Sequence, residues 1–506
     1  MRNRFECLIL GSSRLVLLML ATSVLGQVHY HEDGQPWKQR ANHGDDAEVD
    51  GWYYNLGITG LRVQLLADAP THLLVKHVFG GSPAHRKFKV GDVLTGVAGQ
   101  DFATPHQNGY GMEVFGAAGP IGDFAAALED CQSKSHKGKL TVSRLRDGKT
   151  RDVTIDVGTR QGVFADSFPS ECPKSEKILD ELCKFLVESQ RKDGSWGSEP
   201  QNTFAPLALM ATDMKKHRRA ILAAVRFHAN NTQARDQGSL INWQYMAAGI
   251  VLGEYYLQTG DSWVEKELEE IRDFILWSQY TSLDQVNPKV KESHPNAWPK
   301  NEHEQHGGWG HNPGFEGYGP ICMITGQGAL TLAMLKHCGL DFDRRRHDSA
   351  YEFLARGTGK NGYVWYEDEP AGHDKWADMG RTGAAGLANF MSPYQEPIYR
   401  ERALAHARVI GEHPQSFPDT HGSPVMGMAY AALAAWADPP SFRKLMDANR
   451  WWFTLSQCHD GSFYYQPNRD NAGYGDDSRI KPSAAVALIL AIPKKSLHLT
   501  GKPIVH

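Results

Sequence analysis

The chain has 506 residues, which exceeds the size of one ordinary domain and predicts two or three domains. Hydrophobic residues make up 41% of the chain and charged residues 22%, values typical of a folded globular protein rather than a disordered one. The formal net charge is −4 at pH 7, so no basic excess indicates nucleic acid or an anionic membrane surface as a partner.

The first residues have the pattern of a signal peptide. Basic residues precede the apolar run 15–20, and small residues follow this run up to Gly26. The run is shorter than the roughly 18 apolar residues that a membrane-spanning helix needs. We therefore expect cleavage of residues 1–26, a linker over 27–50, and a secreted or periplasmic protein with no membrane span after signal cleavage.

The cysteines are scattered along the chain. Cys7 lies in the predicted signal peptide, and no C-x-x-C pair occurs among the others, so a thiolate zinc site is not indicated. Buried free thiols and one or two disulfides both remain open, with Cys172 and Cys183 as the closest pair in sequence.

Residues 51–158 are predicted to form a small β-rich domain. Strands are expected at 61–66 and 71–78, and a hairpin turn at 147–148, where the sequence is Asp-Gly. Residues 123–131 have the apolar spacing of one short amphipathic helix.

Three segments of this region resemble the signature of PDZ domains: 78–84 (VFGGSPA), 88–94 (FKVGDVL) and 97–99 (VAG). In that family a loop of small residues offers backbone N–H groups to a peptide carboxylate, and the peptide adds as a strand beside a helix. The resemblance implies a peptide or protein C-terminus as partner, held by Leu56, Gly57, Ile58, Thr59 and Gly60. A role as a spacer is the alternative, and the segment 102–120 is longer than in a minimal PDZ domain.

From residue 173 to 496 the pattern changes to helices of two alternating kinds. The first kind is amphipathic with charged faces, at 174–190, 216–230, 262–278, 341–356, 397–412 and 440–456. The second kind is rich in small apolar residues, at 203–211, 240–258, 318–338, 379–390, 422–436 and 481–491. Strict alternation predicts an (α/α)6 toroid whose small-residue helices crowd around a central axis. The fold class expected is multidomain, a PDZ-like domain followed by an all-α toroid.

The loops between these helices contain a repeated motif. Residues 190–196 have the form Q-x3-G-x-W, residues 457–463 repeat it with Phe for Trp, and residues 303–309 share the frame with His303 at the Gln position. This resembles the QW motif of terpenoid cyclase and prenyltransferase toroids, in which the Gln holds a helix end and the Trp stacks on it. The two domains together resemble exported bacterial proteins that join a PDZ-like domain to such a toroid.

The loops that precede the small-residue helices are expected to open on one face of the toroid, around a central cavity. The candidate catalytic residues in these loops are Asp378, Asp476, Asp477, Tyr318, His373 and Arg381. The candidate substrate-binding residues are Trp309, His311, Trp376, Tyr474 and Arg479. Aromatic faces that stack on sugar rings, combined with carboxylates and Arg, indicate a polysaccharide as the substrate.

Two cleavage mechanisms fit this set. A glycoside hydrolase needs two carboxylates beside the scissile bond, here Asp378 with one member of the 476–477 pair. A polysaccharide lyase needs a base and a cation that neutralises the uronate carboxylate. A tyrosine (Tyr318 or Tyr474) would be that base, accompanied by His373 and Arg381. Alternatively, these residues cap helices and pair with one another, in a protein that binds without catalysis.

Two further functions are less favoured. The cyclase resemblance suggests isoprenoid cyclisation, but the sequence lacks the D-x-D-D acid of squalene–hopene cyclases. The histidines His303, His306 and His311 suggest a metal, but their spacing is not that of two ligands on one helical turn. We therefore expect no metal and no cofactor.

Overall fold

The computed structural model describes residues 53–66, 68–106, 118–197, 199–232, 240–370, 379–418, 424–466 and 479–504, with the backbone of 29–32 and 35–38. The predicted signal peptide lies outside these residues. Within the described part of the chain, no helix is long and apolar enough to cross a membrane. The predicted linker contains an antiparallel hairpin of β1 (His29–Glu32) and β2 (Gln35–Lys38).

The N-terminal domain is a small antiparallel sheet with one helix. Its elements are β3 (Tyr53–Asn55), β4 (Leu61–Leu65), β5 (Leu73–Val78), β6 (Val93–Val97), β7 (Gln100–Asp101), α1 (Pro120–Cys131), β8 (Lys139–Arg146) and β9 (Lys149–Asp156). The strand order is β3-β4-β5-β6-β8-β9, with β7 paired to β6. Asp147 and Gly148 both have positive φ, as a two-residue hairpin turn between twisted strands requires.

The rest of the chain is helical, as the sequence predicts. The helices are α2 (Pro173–Ser189), α3 (Gln201–Asp213), α4 (Arg218–Asn231), α5 (Ile241–Thr259), α6 (Glu265–Ser278), α7 (Val290–Ser293), α8 (Cys322–His337), α9 (Arg344–Arg356), α10 (Met379–Phe390), α11 (Pro397–Glu412), α12 (Pro424–Ala435), α13 (Pro439–Ala448), α14 (Arg450–Ser456) and α15 (Ile480–Ala491). The helix expected over 440–456 is two helices, α13 and α14, which are separated at Asn449.

The small-residue helices form a closed inner ring. Among the described residues, α3 packs on α5, α5 on α8, α8 on α10, α10 on α12, α12 on α15, and α15 returns to α3. The amphipathic helices α2, α4, α6, α9, α11 and α13 pack on the outside of this ring. The predicted combination of a small sheet domain with a helical toroid is therefore confirmed.

Close contacts explain why the inner helices use small residues. A Cβ atom on Gly383 would lie 2.4 Å from the backbone nitrogen of Ala431, so α10 and α12 approach too closely for any side chain there. Along α5, Gly249 faces Thr331 of α8, and one turn later Gly253 faces Met334 of the same helix. Since both pairs advance in the same direction, these neighbouring inner helices run parallel.

The same turn precedes several inner helices in the described part of the chain. The predicted Q-x3-G-x-W motif contains this turn. A glycine with positive φ is followed two residues later by a residue whose backbone N–H bonds a side chain in the next inner helix. These bonds run from Trp196 to Asn202 (2.7 Å), from Trp309 to Thr325 (3.0 Å), from Val364 to Thr382 (3.1 Å) and from Phe463 to Ser483 (2.9 Å). The turn therefore joins each of these loops to an inner helix.

In the first copy, the Gln bonds a carbonyl of its own turn and one of α4, and the Trp bonds a carbonyl of α2. Gln190 Nε2 donates to the carbonyl oxygens of Gly194 and Ala220, each at 2.9 Å. Trp196 Nε1 donates to the carbonyl of Leu186 at 2.7 Å. The motif is therefore structural in this chain.

In the copy that ends at Trp309, the glutamine is Gln279 and not His303. Gln279 Nε2 donates to the carbonyls of Gly307 at 2.7 Å and Arg346 at 3.0 Å, whereas His303 is exposed. Residues 280–306 are an insertion within the motif. The expectation for His303 was wrong because residues 303–309 have the spacing of the motif by themselves. The sequence therefore does not show that the glutamine precedes an insertion.

The sheet domain is fixed to the toroid by buried polar contacts. Asn55 Nδ2 donates to the carbonyls of Leu455, at 2.6 Å, and Gln457, at 3.2 Å, at the end of α14. The guanidinium carbon of the buried Arg62 lies 3.6 Å from the centroid of the Tyr464 ring. The cysteines that the structure describes are free thiols, so Cys172 and Cys183 form no disulfide here.

Candidate active site

One end of the inner ring is closed by the C-terminal segment. Ser496 Oγ donates to the carbonyl of Ala211 at the end of α3, and Trp436 Nε1 donates to the carbonyl of Thr500 at 3.0 Å. This segment therefore lies across the carboxyl ends of inner helices, which we call the closed end. The amino-terminal end is the candidate mouth, and we call it the open end.

A fully buried glutamate holds the closed end together. Glu254 Oε1 accepts hydrogen bonds from the backbone N–H of His498 at 2.9 Å, from its ring Nδ1 at 3.0 Å, and from Gln258 Nε2 at 2.7 Å. Glu254 Oε2 accepts from the backbone N–H of Leu499 at 3.3 Å. Because both carboxylate oxygens have donors, this group is structural.

A second glutamate lies at the opposite end, just before α3. Glu199 is half-buried, and Thr203 Oγ1 donates to its Oε2 at 2.6 Å. Burial raises the pKa of Glu199 to about 7, although hydrogen bonds from Thr203 and Asn202 act in the opposite direction. A carboxyl group with this pKa holds or releases a proton near neutral pH, as general acid–base catalysis requires.

Below Glu199 the ring is filled by polar and aromatic side chains. Tyr430 of α12 donates its hydroxyl to Gln327 Oε1 of α8 at 3.3 Å, and the Phe204 ring meets the Tyr430 ring edge-on at 5.8 Å. Burial raises the pKa of Tyr430, and the nearby Glu199 raises it further. These side chains form a floor beneath the mouth.

Lys481 adds a cation at the same end of the ring, in the first turn of α15. It is buried, and burial lowers its pKa to about 7. Its charge state therefore changes in the same pH range as that of Glu199.

A hydrogen-bonded chain of three rings lies on another side of the mouth. Trp243 Nε1 donates to His311 Nδ1 at 2.9 Å, and His311 Nε2 lies 2.5 Å from the Tyr318 hydroxyl oxygen. An indole only donates, so Nδ1 must accept and the proton of the neutral imidazole is on Nε2. Burial lowers the pKa of His311, which favours this neutral form. His311 therefore donates to Tyr318, and the hydroxyl proton of Tyr318 is free to point elsewhere.

Aromatic contacts connect these three hydrogen-bonded rings to Arg381. The Tyr318 and Tyr366 ring centroids are 5.9 Å apart, and the Arg381 guanidinium carbon lies 5.7 Å from the Tyr366 centroid. Arg381 also donates to the Tyr363 hydroxyl at 3.0 Å. The structure thus brings together His311, Tyr318 and Arg381, three residues proposed from the sequence.

The family model described as "Domain of unknown function (DUF6288)" matches residues 175–501, which is more than half of the chain. The chain belongs to the DUF6288 family. The DUF6288 domain contains Glu199 and Tyr318 but begins after the sheet domain. No curated protein matches the chain.

Solved structures with a similar arrangement have low identity. An inactive variant of the α-1,6-mannanase GH76A of Salegentibacter sp. HEL1_6, in complex with α-1,6-mannotriose, is 11% identical; the match covers 64% of this chain and 99% of that one, with a TM-score of 0.44. A family 76 glycoside hydrolase from a bovine Bacteroides thetaiotaomicron strain is 9% identical over 70% and 84% of the two chains, with a TM-score of 0.45. A protein from Actinoplanes is 17% identical over 62% and 98%, with a TM-score of 0.39.

Two predicted substrate-binding residues contact other groups of the DUF6288 domain. Trp309 is fully buried, and its indole N–H donates to the carbonyl of Ile275 at 3.0 Å, so it does not reach the mouth. Arg479 forms an ion pair with Asp460, a residue that also bonds Ser462 in the recurrent turn. The expectation for Trp309 is corrected because an aromatic residue beside a loop can equally fill the core.

The remaining predicted site residues lie outside the described part of the chain. They are His373, Trp376, Asp378, Tyr474, Asp476 and Asp477. All precede α10 or α15 in the sequence, and they remain candidates. Among the residues that the structure describes, no group of three or more His, Cys, Asp or Glu side chains could hold a metal ion.

The predicted peptide-binding loop is buried against α14 of the DUF6288 domain. Leu56 is fully buried, and a Cβ atom on Gly57 would lie 2.5 Å from Leu128 and 2.7 Å from the carbonyl of Thr454. The loop consists of Leu56, Gly57, Ile58, Thr59 and Gly60. A peptide carboxylate cannot enter here because α14 fills the space, so the expectation of capture at this loop is corrected.

The strand edge for peptide addition is also taken. β4 pairs with β3 on one side and β5 on the other, which leaves no free edge on β4. At the outer side of β3, the backbone N–H of Asn55 donates to Gln466 Oε1 of the DUF6288 domain at 2.8 Å.

Sequence reasoning missed Glu199 and Trp243. Both lie at the amino-terminal ends of inner helices, α3 and α5, whereas the candidates came from later loops. The expectation that site residues lie in the loops before inner helices would have found Glu199 as well, because it lies in the loop before α3. No sequence pattern marks Trp243 as a site residue, because its contact with His311 joins residues far apart in sequence.

Proposed function

We propose that the mouth of the DUF6288 domain binds a polysaccharide and hydrolyses a glycosidic bond, with Glu199 as the acid–base group. The observation that carries this proposal is the position of Glu199: half-buried at the open end of the ring, oriented by Thr203, with a pKa of about 7. In a hydrolase, one carboxyl group protonates the departing glycosidic oxygen, and water adds to the anomeric carbon.

A second carboxylate is needed to take a proton from that water, or to attack the anomeric carbon itself. Asp378, Asp476 and Asp477 are the proposed candidates. Their loops precede α10 and α15, which begin at the same end of the ring as α3.

The aromatic side chains of the mouth suit a sugar ring. Tyr366 is 37% exposed and packs beside Tyr318, so both present ring faces near the mouth. Since His311 donates to Tyr318, the Tyr318 hydroxyl is left to donate its own proton to a sugar oxygen. Together these groups would orient the polysaccharide over Glu199.

Lyase chemistry is a second candidate, favoured by the hydrogen bond between His311 and Tyr318 and by Arg381, which approaches Tyr318 through the Tyr366 ring. A lyase base removes the proton at C5 of a uronic acid, the bond between C4 and the glycosidic oxygen breaks, and a C4=C5 double bond forms. The departing oxygen takes up a proton, which the protonated base can return to it. Tyr318 would be the base, with its oxyanion stabilised by the donor on His311. Arg381 would neutralise the uronate carboxylate. This route requires an acidic polysaccharide, whereas hydrolysis does not.

Export is part of the same proposal. The pattern of residues 1–26 favours a secreted or periplasmic location, where polysaccharides are accessible. The sheet domain would then support the toroid through Asn55 and Arg62 rather than capture peptides.

The test is a panel of neutral and acidic polysaccharides with the mature protein, following reducing ends and the absorbance of unsaturated uronates. For hydrolysis we expect reducing ends without new absorbance, lost in Glu199→Gln and kept in the control Glu269→Gln on the exposed face of α6. Absorbance that disappears in Tyr318→Phe would favour the lyase. No product on any substrate, with folded protein, would contradict both routes and favour a binding protein.

A further inference from the structure

The insertion at residues 280–306 packs with Phe315 in a small hydrophobic cluster, separate from the two larger cores. Its members are Tyr280, Val286, Val290 and Phe315. The Tyr280 and Phe315 rings meet edge-on with centroids 5.1 Å apart. The insertion is therefore packed against the loop that contains Phe315, and we refer to the packed insertion as the wall.

This wall is bonded to the loop that carries Tyr318. The backbone N–H of Asn287 donates to the carbonyl of Phe315 at 3.0 Å, and Asn287 Nδ2 donates to Glu316 Oε1 at 3.1 Å. Directly after α7, the His294 ring lies edge-on to the Tyr318 ring with centroids 6.0 Å apart. The insertion therefore forms one rim of the mouth.

An exposed tryptophan lies on the same wall. Trp298 is 36% exposed, and Lys291 Nζ lies 6.0 Å from its ring centroid. Only residues 295–297 separate Trp298 from His294, so their α-carbons are at most about 14 Å apart. A polymer bound beside Tyr318 spans that distance with a few further sugar rings.

We infer that Trp298 is an outer subsite that stacks on a sugar ring of the bound polysaccharide, so that the insertion selects long chains over short fragments. This inference rests on the proposed function. The indole face packs on the C–H face of a pyranose, as aromatic side chains do in carbohydrate recognition. The Lys291 ammonium lies within cation–π range of the indole.

Binding is measured by calorimetry in the Glu199→Gln background, with mannan, xylan, pectate and alginate and with short fragments of each. We expect Trp298→Ala to raise the dissociation constant of the polymer about ten-fold and to leave that of fragments unchanged. Trp298→Phe, which keeps a ring, should restore part of the affinity. The matched control is Trp263→Ala, because Trp263 is 43% exposed beside α6 at the closed end of the ring.

The outcomes separate this inference from the proposed function. Polymer affinity that is equal in the Trp298→Ala and Trp263→Ala variants overturns the subsite while leaving cleavage at Glu199 intact. A polysaccharide that binds through Trp298 but is not cleaved by the unsubstituted protein overturns the reaction and supports the subsite. If no polysaccharide binds, both are overturned.

Discussion

Each end of the ring places a glutamate among buried groups, and the two carboxyl groups differ in their burial and in their hydrogen-bond donors. At the closed end, Glu254 is fully buried and accepts four hydrogen bonds, two of them from His498. At the open end, Glu199 is half-buried with Thr203 and Asn202 as donors, and burial raises its pKa to about 7.

The difference teaches how a carboxyl group is made structural or reactive. Burial favours the neutral acid, and hydrogen bonds from the protein favour the carboxylate. At the closed end, hydrogen bonds from His498 and Leu499 connect Glu254 of α5 to the C-terminal segment. At the open end, burial outweighs the donors around Glu199, which leaves a group that can exchange a proton near neutral pH at a cost in stability.

The largest effect on stability is expected from Glu254→Gln. The amide keeps one acceptor oxygen but turns its NH2 group toward donors such as the Leu499 N–H, so unfolding should become easier by about 3 kcal/mol. Thermal unfolding should show a clearly lower Tm. The exposed control Glu269→Gln should not change it, and an equal Tm in both variants would rule out a structural role for Glu254.

The junction between the domains offers a second closed, paired site. Asn55→Ala leaves the carbonyls of Leu455 and Gln457 without their donor, so we expect a loss of about 2 kcal/mol. Asn55→Asp has the same size but replaces the donor by an acceptor, and it should lose at least as much. Denaturant unfolding measures both variants, and wild-type stability in both would show that the junction contributes nothing.

At the open end, replacing the glutamate should stabilise the protein rather than destabilise it. Between pH 4.5 and about 7, the folded protein keeps a proton on Glu199 that the unfolded chain has released, so stability falls as pH rises through this range. Glu199→Gln removes this loss and should stabilise the protein at pH 8 by about 1–2 kcal/mol, allowing for partial exposure. The gain in Tm should vanish below pH 4.5, and a pH-independent difference would contradict the raised pKa.

The smallest effect on stability is expected from Tyr318→Phe. The hydroxyl lies at the mouth, so its loss should change the unfolding free energy by less than about 0.5 kcal/mol. Product formation should nevertheless fall, because the ring chain from Trp243 through His311 no longer ends in a hydroxyl. A large drop in Tm would instead place Tyr318 with the structural groups.

The architecture could be predicted because it depends on local composition. Close contacts such as that of Gly383 with α12 require small residues, and these residues mark the inner helices in the sequence. The insertion at 280–306 could not be predicted, because Gln279 and Gly307 are recognised as one motif only when their hydrogen bond is seen.

The site was predicted in part, for a similar reason. His311, Tyr318 and Arg381 follow from their position in loops before inner helices. The burial of Trp309 and the filling of the peptide groove by α14 depend on packing between distant segments. The raised pKa of Glu199 depends on its surroundings, which one residue type in a loop does not reveal.

The most direct test compares product formation by Glu199→Gln and Glu254→Gln, each corrected for the folded fraction, on a polysaccharide that the unsubstituted protein cleaves at pH 7. We expect Glu254→Gln to lose stability yet keep full activity per folded molecule, and Glu199→Gln to fold normally yet form no product. Equal activity in the two variants, or loss confined to Glu254→Gln, would contradict the assignment of the reactive carboxyl group to the open end of the ring.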